Sequence, residues 1–402
     1  MNHHNGMRTS YRDLDQGAEA LVDITDLCDA ATAIRDDQSK SASGRTIVPI
    51  VLANGSETKF WPLSRAMVPK QFVRFWGLGK ASMLGSTLSR LRQDSIFSPP
   101  IVICSNEHRF LVREETERAG VVPQAIIVLP TLSNTMIPIA VAALYLERHQ
   151  TEVILAVLPS DHIVNEEGNF IEKLLQASEL AARGKIVLMG MGCSSLHANG
   201  SISLAPESSA CAEGPGRSTP QRRLNTAPDG IIVTNSKILL HELATLEPWI
   251  VEGTRAALGQ HTDELGFLQV DGEVLAANTS HSAAALERSA ATTLLPDCGF
   301  GIGVDSWREF WQASPRDAFG NSVQGEAMTE DTRNCYIHSE KALVATLGVK
   351  DLVIVETPDA CLSPINREHM KSRPLSIGCE KAIEGSMTST RATCVHGAIL
   401  SR

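Results

Sequence analysis

The sequence has no basic excess and no long apolar run, and each of these two absences excludes a class of protein. Its aromatic residues are also few. It holds 36 Lys and Arg residues against 46 Asp and Glu residues, a formal net charge of −10. Because nucleic-acid-binding proteins normally present a basic surface, we expect no nucleic-acid partner. Aromatic residues make up 4% of the chain. No window approaches the roughly 18 consecutive apolar residues of a membrane-spanning helix, so we expect no membrane partner.

The cysteines lack the spacing of a metal site or a disulfide framework. Nine cysteines are scattered along the chain, and no two of them form a Cys-x-x-Cys pair. An odd number without pairing argues against a zinc site and a disulfide scaffold, and it fits a reducing compartment. The first 17 residues contain no apolar core of signal-peptide length. The sequence therefore predicts a cytoplasmic protein.

Apolar runs alternate with helical patterns in the first half of the chain. The runs are IVPIVLA (47–53), PIVICS (100–105), AIIVLP (125–130), VILAVLP (153–159) and KIVLMGM (185–191). Helical patterns separate them at 82–91, 107–119, 137–148 and 170–182. Near-continuous Val, Ile and Leu runs at this spacing are typical of strands buried on both faces. The sequence therefore predicts an α/β fold with a mostly parallel sheet.

The second half carries a different pattern. Residues 230–246 predict a strand and then a helix, and residues 283–295 have a helical pattern. Trp307 and Trp311, four apart on a predicted helix, are expected to belong to the core. Short strand-like runs at 335–339, 342–348 and 351–362 predict hairpins or β-helix coils rather than further βαβ units. We expect no regular structure beyond Arg367.

The stretch from Ile47 to Phe72 combines the parts of a polyphosphate site. A buried-type strand leads into the small, polar loop Asn54–Thr58, and Lys70 follows downstream. Backbone N–H groups in a tight loop bind anionic oxygens, and an ammonium group adds charge. The loop alone favours a plainer interpretation, in which a strand, a loop and a basic surface helix follow one another. Further strand-end loops at 105–108, 130–135 and 159–162 should converge on the same edge of the sheet.

Several of these motifs together resemble one family. The motifs are VLANGSETKFWPLSRAMVPKQF (51–72), PIVICSNEHRFLVRE (100–114), Asn134-Thr135, VLPSDHIV (157–164) and the segment 331–362. They are similar, in order, to motifs of bacterial mannose-1-phosphate guanylyltransferases. The combination is specific, whereas each motif alone is weak. The resemblance implies a Rossmann-like nucleotidyltransferase domain and a β-rich C-terminal segment. It also implies GTP and mannose 1-phosphate as substrates, Mg²⁺ as cofactor and a homodimer as one possible assembly.

The resemblance also implies roles for individual residues. It makes Lys59 and Lys70 catalytic cations and Asp161 the metal ligand. Nucleotide-binding positions would be Leu52, Ala53, Gly55, Ser56, Thr58, Gln71 and Asn134. Two plainer interpretations stay open, because Lys70 could be a solvated surface lysine and Asp161 could cap a helix N-terminus. His162 is expected to be structural, since this chemistry requires no base.

Several positions depart from the family pattern. Asn54 and Glu57 replace glycines of the loop, and Ser133 replaces an arginine. Glu213-Gly214-Pro215 lacks a family lysine. The second metal aspartate has no direct counterpart, although Asp305 lies two residues away in register. A catalytically weakened paralogue that binds nucleotide or regulates is therefore the alternative, and another sugar phosphate or base is a third hypothesis.

The predicted domain organisation follows from these segments. Residues 1–45 are polar and predict a flexible N-terminal extension. Residues 46–330 form the predicted nucleotidyltransferase domain, and residues 331–366 form the β-rich segment. Residues 367–402 are predicted to be a disordered tail.

Overall fold

The computed structural model describes most of the chain between residues 46 and 365. The described residues are 46–53, 55, 59–75, 81–130, 136–149, 152–190, 230–272, 275, 286–295, 300–304 and 306–365, with the backbone of 392–395 and 398–401. The predicted extension at 1–45 and most of the predicted tail lie outside these ranges, so the domain boundaries stay a prediction.

A nine-stranded sheet forms the centre of the described residues. Across the sheet its strands are β10 (Thr292–Leu295), β6 (Ile186–Met189), β7 (Ile231–Asn235), β4 (Ile154–Pro159), β1 (Ile47–Ala53), β2 (Ile101–Ser105), β3 (Ala125–Leu129), β9 (Phe267–Gln269) and β8 (Thr262–Glu264). Neighbours pair in parallel, except that β7 is antiparallel to β4 and β6, and β8 is antiparallel to β9. The predicted α/β fold with a mostly parallel sheet is confirmed.

Helices cover both faces of this sheet. They are α1 (Met83–Arg90), α2 (Arg109–Ala119), α3 (Met136–His149), α4 (Glu167–Ala182), α5 (Ser236–Leu246) and α6 (Pro248–Gly259). Side chains of α3, α5 and α6 form one core with Val48 and Ile50 of β1. Side chains of α1, α2 and α4 form the other core with Ile47 and Val51. Since burying each such side chain contributes about 1.5–3 kcal/mol, strands of this sheet are apolar on both faces.

Strand β1 lies at a point where the strand order reverses. The chain passes from β1 to β2 and β3 on one side and then returns to β4 on the other side of β1. In open α/β sheets, ligands bind in the crevice beyond the carboxyl ends of the strands at such a point. The fold therefore places the crevice where β1 and β4 end.

The helical prediction for 283–295 is wrong. The segment forms one 3₁₀ turn, Leu286–Arg288, and then strand β10, which pairs in parallel with β6. Thr292 and Thr293 are β-branched, and Leu294 and Leu295 extend the apolar run. The open edge of β6 provides a backbone partner, which outweighs a short helical pattern.

The C-terminal segment forms parallel β coils, as predicted. Strands β12 (Ser322–Gln324), β14 (Tyr336–Ser339) and β16 (Val353–Thr357) pair in parallel, as do β13 (Ala327–Glu330) and β15 (Val344–Leu347). Strand β17 (Ala360–Ser363) follows as a hairpin. The backbone then adds β18 (Ala392–Val395) and β19 (Ala398–Ser401), where the sequence predicts no regular structure.

An aromatic cluster joins the β coils to the sheet domain. Phe60 and Trp61 pack with Trp307, Phe310 and Tyr336, and the Trp307 indole donates to the Trp61 carbonyl oxygen at 3.2 Å. Trp307 begins helix α7 (Trp307–Ala313), and its expected core role is confirmed. No helix in the described ranges is long and apolar enough to cross a membrane.

Candidate functional site

The candidate site lies where β1 and β4 end side by side. Leu52 pairs with Pro159 in the parallel ladder, and the Ser160 amide donates to the Leu52 carbonyl oxygen at 3.3 Å. Ala53 pairs with Cys104 on the other side. The segments that follow β1, β2 and β4 therefore leave the sheet next to each other. Three of the predicted strand-end loops start at one crevice.

Lys70 is buried in this crevice. A 3₁₀ turn spans Lys70–Phe72, and Pro69 precedes it with φ −62°, a value that proline fixes and that suits the start of a helical turn. Lys70 is only 6% exposed, and its Nζ lies 2.6 Å from the Asp161 Oδ2. A lysine in this position is not a solvated surface residue, so that interpretation is wrong.

Asp161 lies in the turn between β4 and the short strand β5 (His162–Val164). The nearest following helix, α4, begins at Glu167 with Glu166 as its N-cap, so Asp161 caps no helix there. Its side chain is 24% exposed, which leaves part of the carboxylate open to the crevice. Because burying a charge is costly unless it is paired, the ammonium of Lys70 and this carboxylate stabilise each other.

Gln71 holds the start of the loop that follows β1. Its side chain is 2% exposed, and its Nε2 donates to the Gly55 carbonyl oxygen at 2.7 Å and to the Ala53 carbonyl oxygen at 3.4 Å. Since carbonyl oxygens only accept, the amide nitrogen is the atom that faces them. The Gln71 side chain therefore binds the protein's own loop.

Gly55 has room around its Cα within the described part of the chain. A Cβ built there would meet only the Gln71 Oε1, at 3.9 Å, which is an ordinary contact. Gly55 is exposed, whereas Ala53 before it is buried. No described protein atom therefore requires glycine at this position.

The other predicted site residues are partly outside the described residues. Lys59 is half-buried at the start of the turn that follows the loop. Ser56, Thr58 and Asn134 lie outside the described ranges, as do Asn54, Glu57, Ser133, Glu213–Pro215 and Asp305. Their roles stay predictions.

The turn at Asp161 is supported from behind by a second ladder. Strand β5 pairs antiparallel with β11 (Gly301–Gly303), which sets Gly303 opposite His162. A Cβ on Gly301 would overlap the Ile163 carbonyl oxygen, so this close approach requires glycine. His162 is buried, in accord with its expected structural role.

Sequence reasoning missed His108 as a support for the site. Its Nε2 lies 3.1 Å from the Ala66 carbonyl oxygen, and its Nδ1 lies 2.8 Å from the Ser105 hydroxyl. Because the carbonyl can only accept, Nε2 carries the proton and Ser105 donates to Nδ1. The position of His108 just after β2 was the one signal that could have placed it near the site. Its contact with Ala66 could not be predicted, because the two residues are distant in sequence.

A buried carboxylate, Glu115, was missed as well. It lies 2.8 Å from the Arg74 guanidinium, within 3.2 Å of Arg118, and accepts from the Ser82 hydroxyl. Ser82 in turn caps α1 by accepting from the Gly85 amide at 2.8 Å. This network fixes the chain that follows the Lys70 turn against α1 and α2.

The chemistry that the site can perform follows from its groups. Among the described residues it offers an ammonium, a partly exposed carboxylate and the exposed Gly55. Burial raises the pKa of the Cys104 thiol beside it to about 12, so this thiol stays protonated and is no nucleophile. Within the described ranges, no three His, Cys, Asp or Glu side chains form a ready-made metal cage. The arrangement suits binding of an anion rather than covalent catalysis.

Two family profiles and several curated relatives match the chain. The nucleotidyl transferase family profile matches residues 48–269, and the MannoseP isomerase/GMP-like beta-helix domain matches residues 325–364. Mannose-1-phosphate guanylyltransferase of Klebsiella pneumoniae is 32% identical over 339 residues, which cover 80% of this chain and 71% of the relative. The XanB xanthan biosynthesis protein of Xanthomonas campestris (strain B100) is 32% identical, with 79% and 69% covered.

A solved structure shares the fold. The crystal structure of mannose-1-phosphate geranyltransferase from Thermus thermophilus superposes with a TM-score of 0.64 at 20% identity, covering 83% of this chain and 99% of that chain. The nucleotidyl transferase profile matches the sheet domain, and the beta-helix profile matches the β coils that follow it in the chain. The chain therefore belongs to the mannose-1-phosphate guanylyltransferase family of sugar nucleotidyltransferases.

Proposed function

We propose that the chain transfers GMP from GTP to mannose 1-phosphate, giving GDP-mannose and pyrophosphate. The observation that carries this proposal is the pair of the buried Lys70 and the partly exposed Asp161, 2.6 Å apart, in the crevice where β1 and β4 end. The activity named for the relatives supports the choice of substrates.

The reaction needs positioning and charge neutralisation more than covalent help. A phosphate oxygen of mannose 1-phosphate forms a bond to the α-phosphorus of GTP. The bond from that phosphorus to the bridging oxygen of the leaving pyrophosphate breaks. The attacking phosphate is already anionic, so no side chain has to remove a proton. Catalysis therefore depends on cations and N–H groups placed in advance around the phosphates.

Each residue of the site has a part in this proposal. Lys70 neutralises charge that develops on the phosphates, and Lys59 adds a second cation at the far end of the loop. The loop that contains Gly55 binds phosphate oxygens through backbone N–H groups. Groups that are positioned before substrate arrives would reduce the reorganisation that accompanies the reaction.

Asp161 suits Mg²⁺ as the cofactor. Mg²⁺ takes oxygen ligands, keeps several waters and needs only one or two carboxylates in addition to substrate phosphates. A partly exposed carboxylate beside the proposed phosphate position meets that need. Asp161 would hold the ion, and the chemistry supplied there would be positive charge beside the phosphates.

The test is formation of product by the purified chain. We expect GTP, mannose 1-phosphate and Mg²⁺ to give pyrophosphate and GDP-mannose in equal amounts, measured by coupled pyrophosphate detection and mass spectrometry. Omission of mannose 1-phosphate should abolish pyrophosphate release. Absence of any nucleotide sugar would overturn the proposal.

A second candidate is a weakened paralogue that binds GTP without turnover. The loop substitutions at Asn54 and Glu57 favour it. Glycine would allow a closer backbone approach at both positions, and a carboxylate near polyphosphate opposes the charge neutralisation that turnover requires. GTP binding in a calorimeter without product formation would establish this alternative. Product formation only with another sugar phosphate or another nucleotide would instead support the third hypothesis.

A further inference from the structure

Three consecutive side chains of the turn at 70–72 each reach the end of a different strand. Lys70 contacts Asp161 after β4, Gln71 binds Ala53 and Gly55 at the end of β1, and Phe72 packs on the His108 ring after β2, with centroids 5.8 Å apart. These strands are neighbours in the order β4, β1, β2. The turn therefore lies across the three strand ends that form the crevice.

The middle contact controls the loop itself. Gln71 draws the carbonyl groups of Ala53 and Gly55 toward one amide nitrogen. Because a peptide unit is planar, fixing these two carbonyl groups toward Gln71 fixes the backbone of Ala53 and Gly55, where the loop begins.

We infer that Gln71 is a positioning residue that sets the loop after β1 for binding the phosphates of the nucleoside triphosphate. It acts through the Gly55 carbonyl and does not touch the ligand. The identity of the ligand in this inference rests on the proposed function. The positioning of the loop by Gln71 rests only on the hydrogen bonds to Ala53 and Gly55. It differs from the nucleotide-contacting role predicted from the sequence, because the amide is already occupied by the protein backbone.

The neighbouring groups make this contact hard to replace. Gln71 is buried and follows Lys70 directly, so the amide and the ammonium share one short backbone segment closed by the Phe72 N–H to Pro69 bond at 3.0 Å. A Glu at this position would face two carbonyl oxygens without a proton to donate. A Leu would leave both carbonyl groups without this donor.

The experiment compares Gln71→Leu and Gln71→Glu with Gln269→Leu. Gln269 also loses a side-chain hydrogen bond, to Glu264 at 3.0 Å, at the far edge of the same sheet. Amide hydrogen exchange of the peptide that covers residues 50–60 should become faster in both Gln71 variants and stay unchanged in the control. This readout requires no catalysis.

Kinetics add the functional part of the test. We expect Gln71→Leu to raise the KM for GTP roughly tenfold and leave the KM for mannose 1-phosphate within about twofold, because lost loop positioning weakens phosphate binding. A merely structural role would lower the active fraction and change neither KM. Unchanged exchange in the 50–60 peptide, or an unchanged KM for GTP, would overturn the inference.

If the parent makes no product, the dissociation constant for GTP is measured in place of KM. The proposed function would then have failed, and the same comparison of variants would still decide the role of Gln71.

Discussion

The ammonium of Lys70 and the carboxylate of Asp161 lie 2.6 Å apart, so the proposed phosphate cation and the proposed metal ligand neutralise each other's charge. A divalent cation bound to Asp161 would have to displace or share this contact, which would free the ammonium for phosphate. We therefore expect metal binding to be linked to the availability of Lys70.

This link predicts that Lys70→Met binds a divalent cation more tightly in the absence of nucleotide. Removing the competing ammonium should lower the dissociation constant for Mn²⁺, used as the oxygen-binding probe, roughly tenfold. Electron paramagnetic resonance of free Mn²⁺ measures it. Lys237→Met is the matched control, because Lys237 pairs with Glu152 at 3.4 Å on an exposed surface. Equal or weaker Mn²⁺ binding in Lys70→Met would contradict the link.

Gly55 and Gly301 should respond in opposite ways to alanine. A Cβ on Gly55 finds room among the described residues, so Gly55→Ala should change the free energy of unfolding by less than about 0.5 kcal/mol. It should nevertheless weaken GTP binding about tenfold, since the methyl group would occupy the proposed path of the phosphates.

Gly301→Ala is the contrasting variant. Its Cβ would overlap the Ile163 carbonyl oxygen, so we expect a loss of more than about 1 kcal/mol of stability. Urea unfolding and GTP calorimetry on both variants check the pair. A strongly destabilised Gly55→Ala, or unchanged GTP affinity in it, would remove the argument for a ligand at this glycine.

His338 in the β coils should make stability fall below neutral pH. Burial lowers its pKa from 6.5 to about 4, and the nearby Glu356 carboxylate opposes that shift only in part. The ring lies near Gln324 and Tyr336. Between pH 6.5 and 4 the unfolded chain binds a proton that the folded chain does not, so the free energy of unfolding falls as pH falls through this window.

The size of the effect is at most about 3 kcal/mol, reached near pH 4. Urea unfolding between pH 7 and pH 4.5 measures it. Subtracting the free energy of unfolding of the parent from that of His338→Gln at each pH removes the contributions of carboxylates. We expect this difference to grow toward acid pH. A difference that is independent of pH would show that His338 does not carry the proton.

Much of the sheet could be predicted because its strands are buried on both faces. Runs such as Ile47–Ala53 contain no polar residue, and Ile154–Pro159 likewise, so length and β-branching locate them. Strand β10 could not be found in this way. Its residues are only half-buried. The strand forms because β6 offers an open edge, and that edge is brought near only by the tertiary structure.

The location of the site could also be predicted in part, because it follows from the predicted sheet. Convergence of strand ends follows from parallel topology, so the nearness of Lys70 and Asp161 to the end of β1 was foreseeable. The direct ion pair and the binding of Gln71 to Gly55 were not, because they depend on how the chain between Trp61 and Lys70 folds back. That path is set by distant partners, including Tyr336 and the Asp359 carboxylate that binds Arg65 at 3.0 Å.

The central claim is that Asp161 and Lys70 serve nucleotidyl transfer, and pyrophosphate release tests it most directly. With GTP, mannose 1-phosphate and Mg²⁺, we expect turnover by the parent and a loss of roughly 100- to 1,000-fold in kcat for Asp161→Asn and for Lys70→Met. Glu166→Gln, an exposed residue at the start of α4, should retain full activity. Turnover by Asp161→Asn at the parent's rate, or none by the parent at all, would contradict the account.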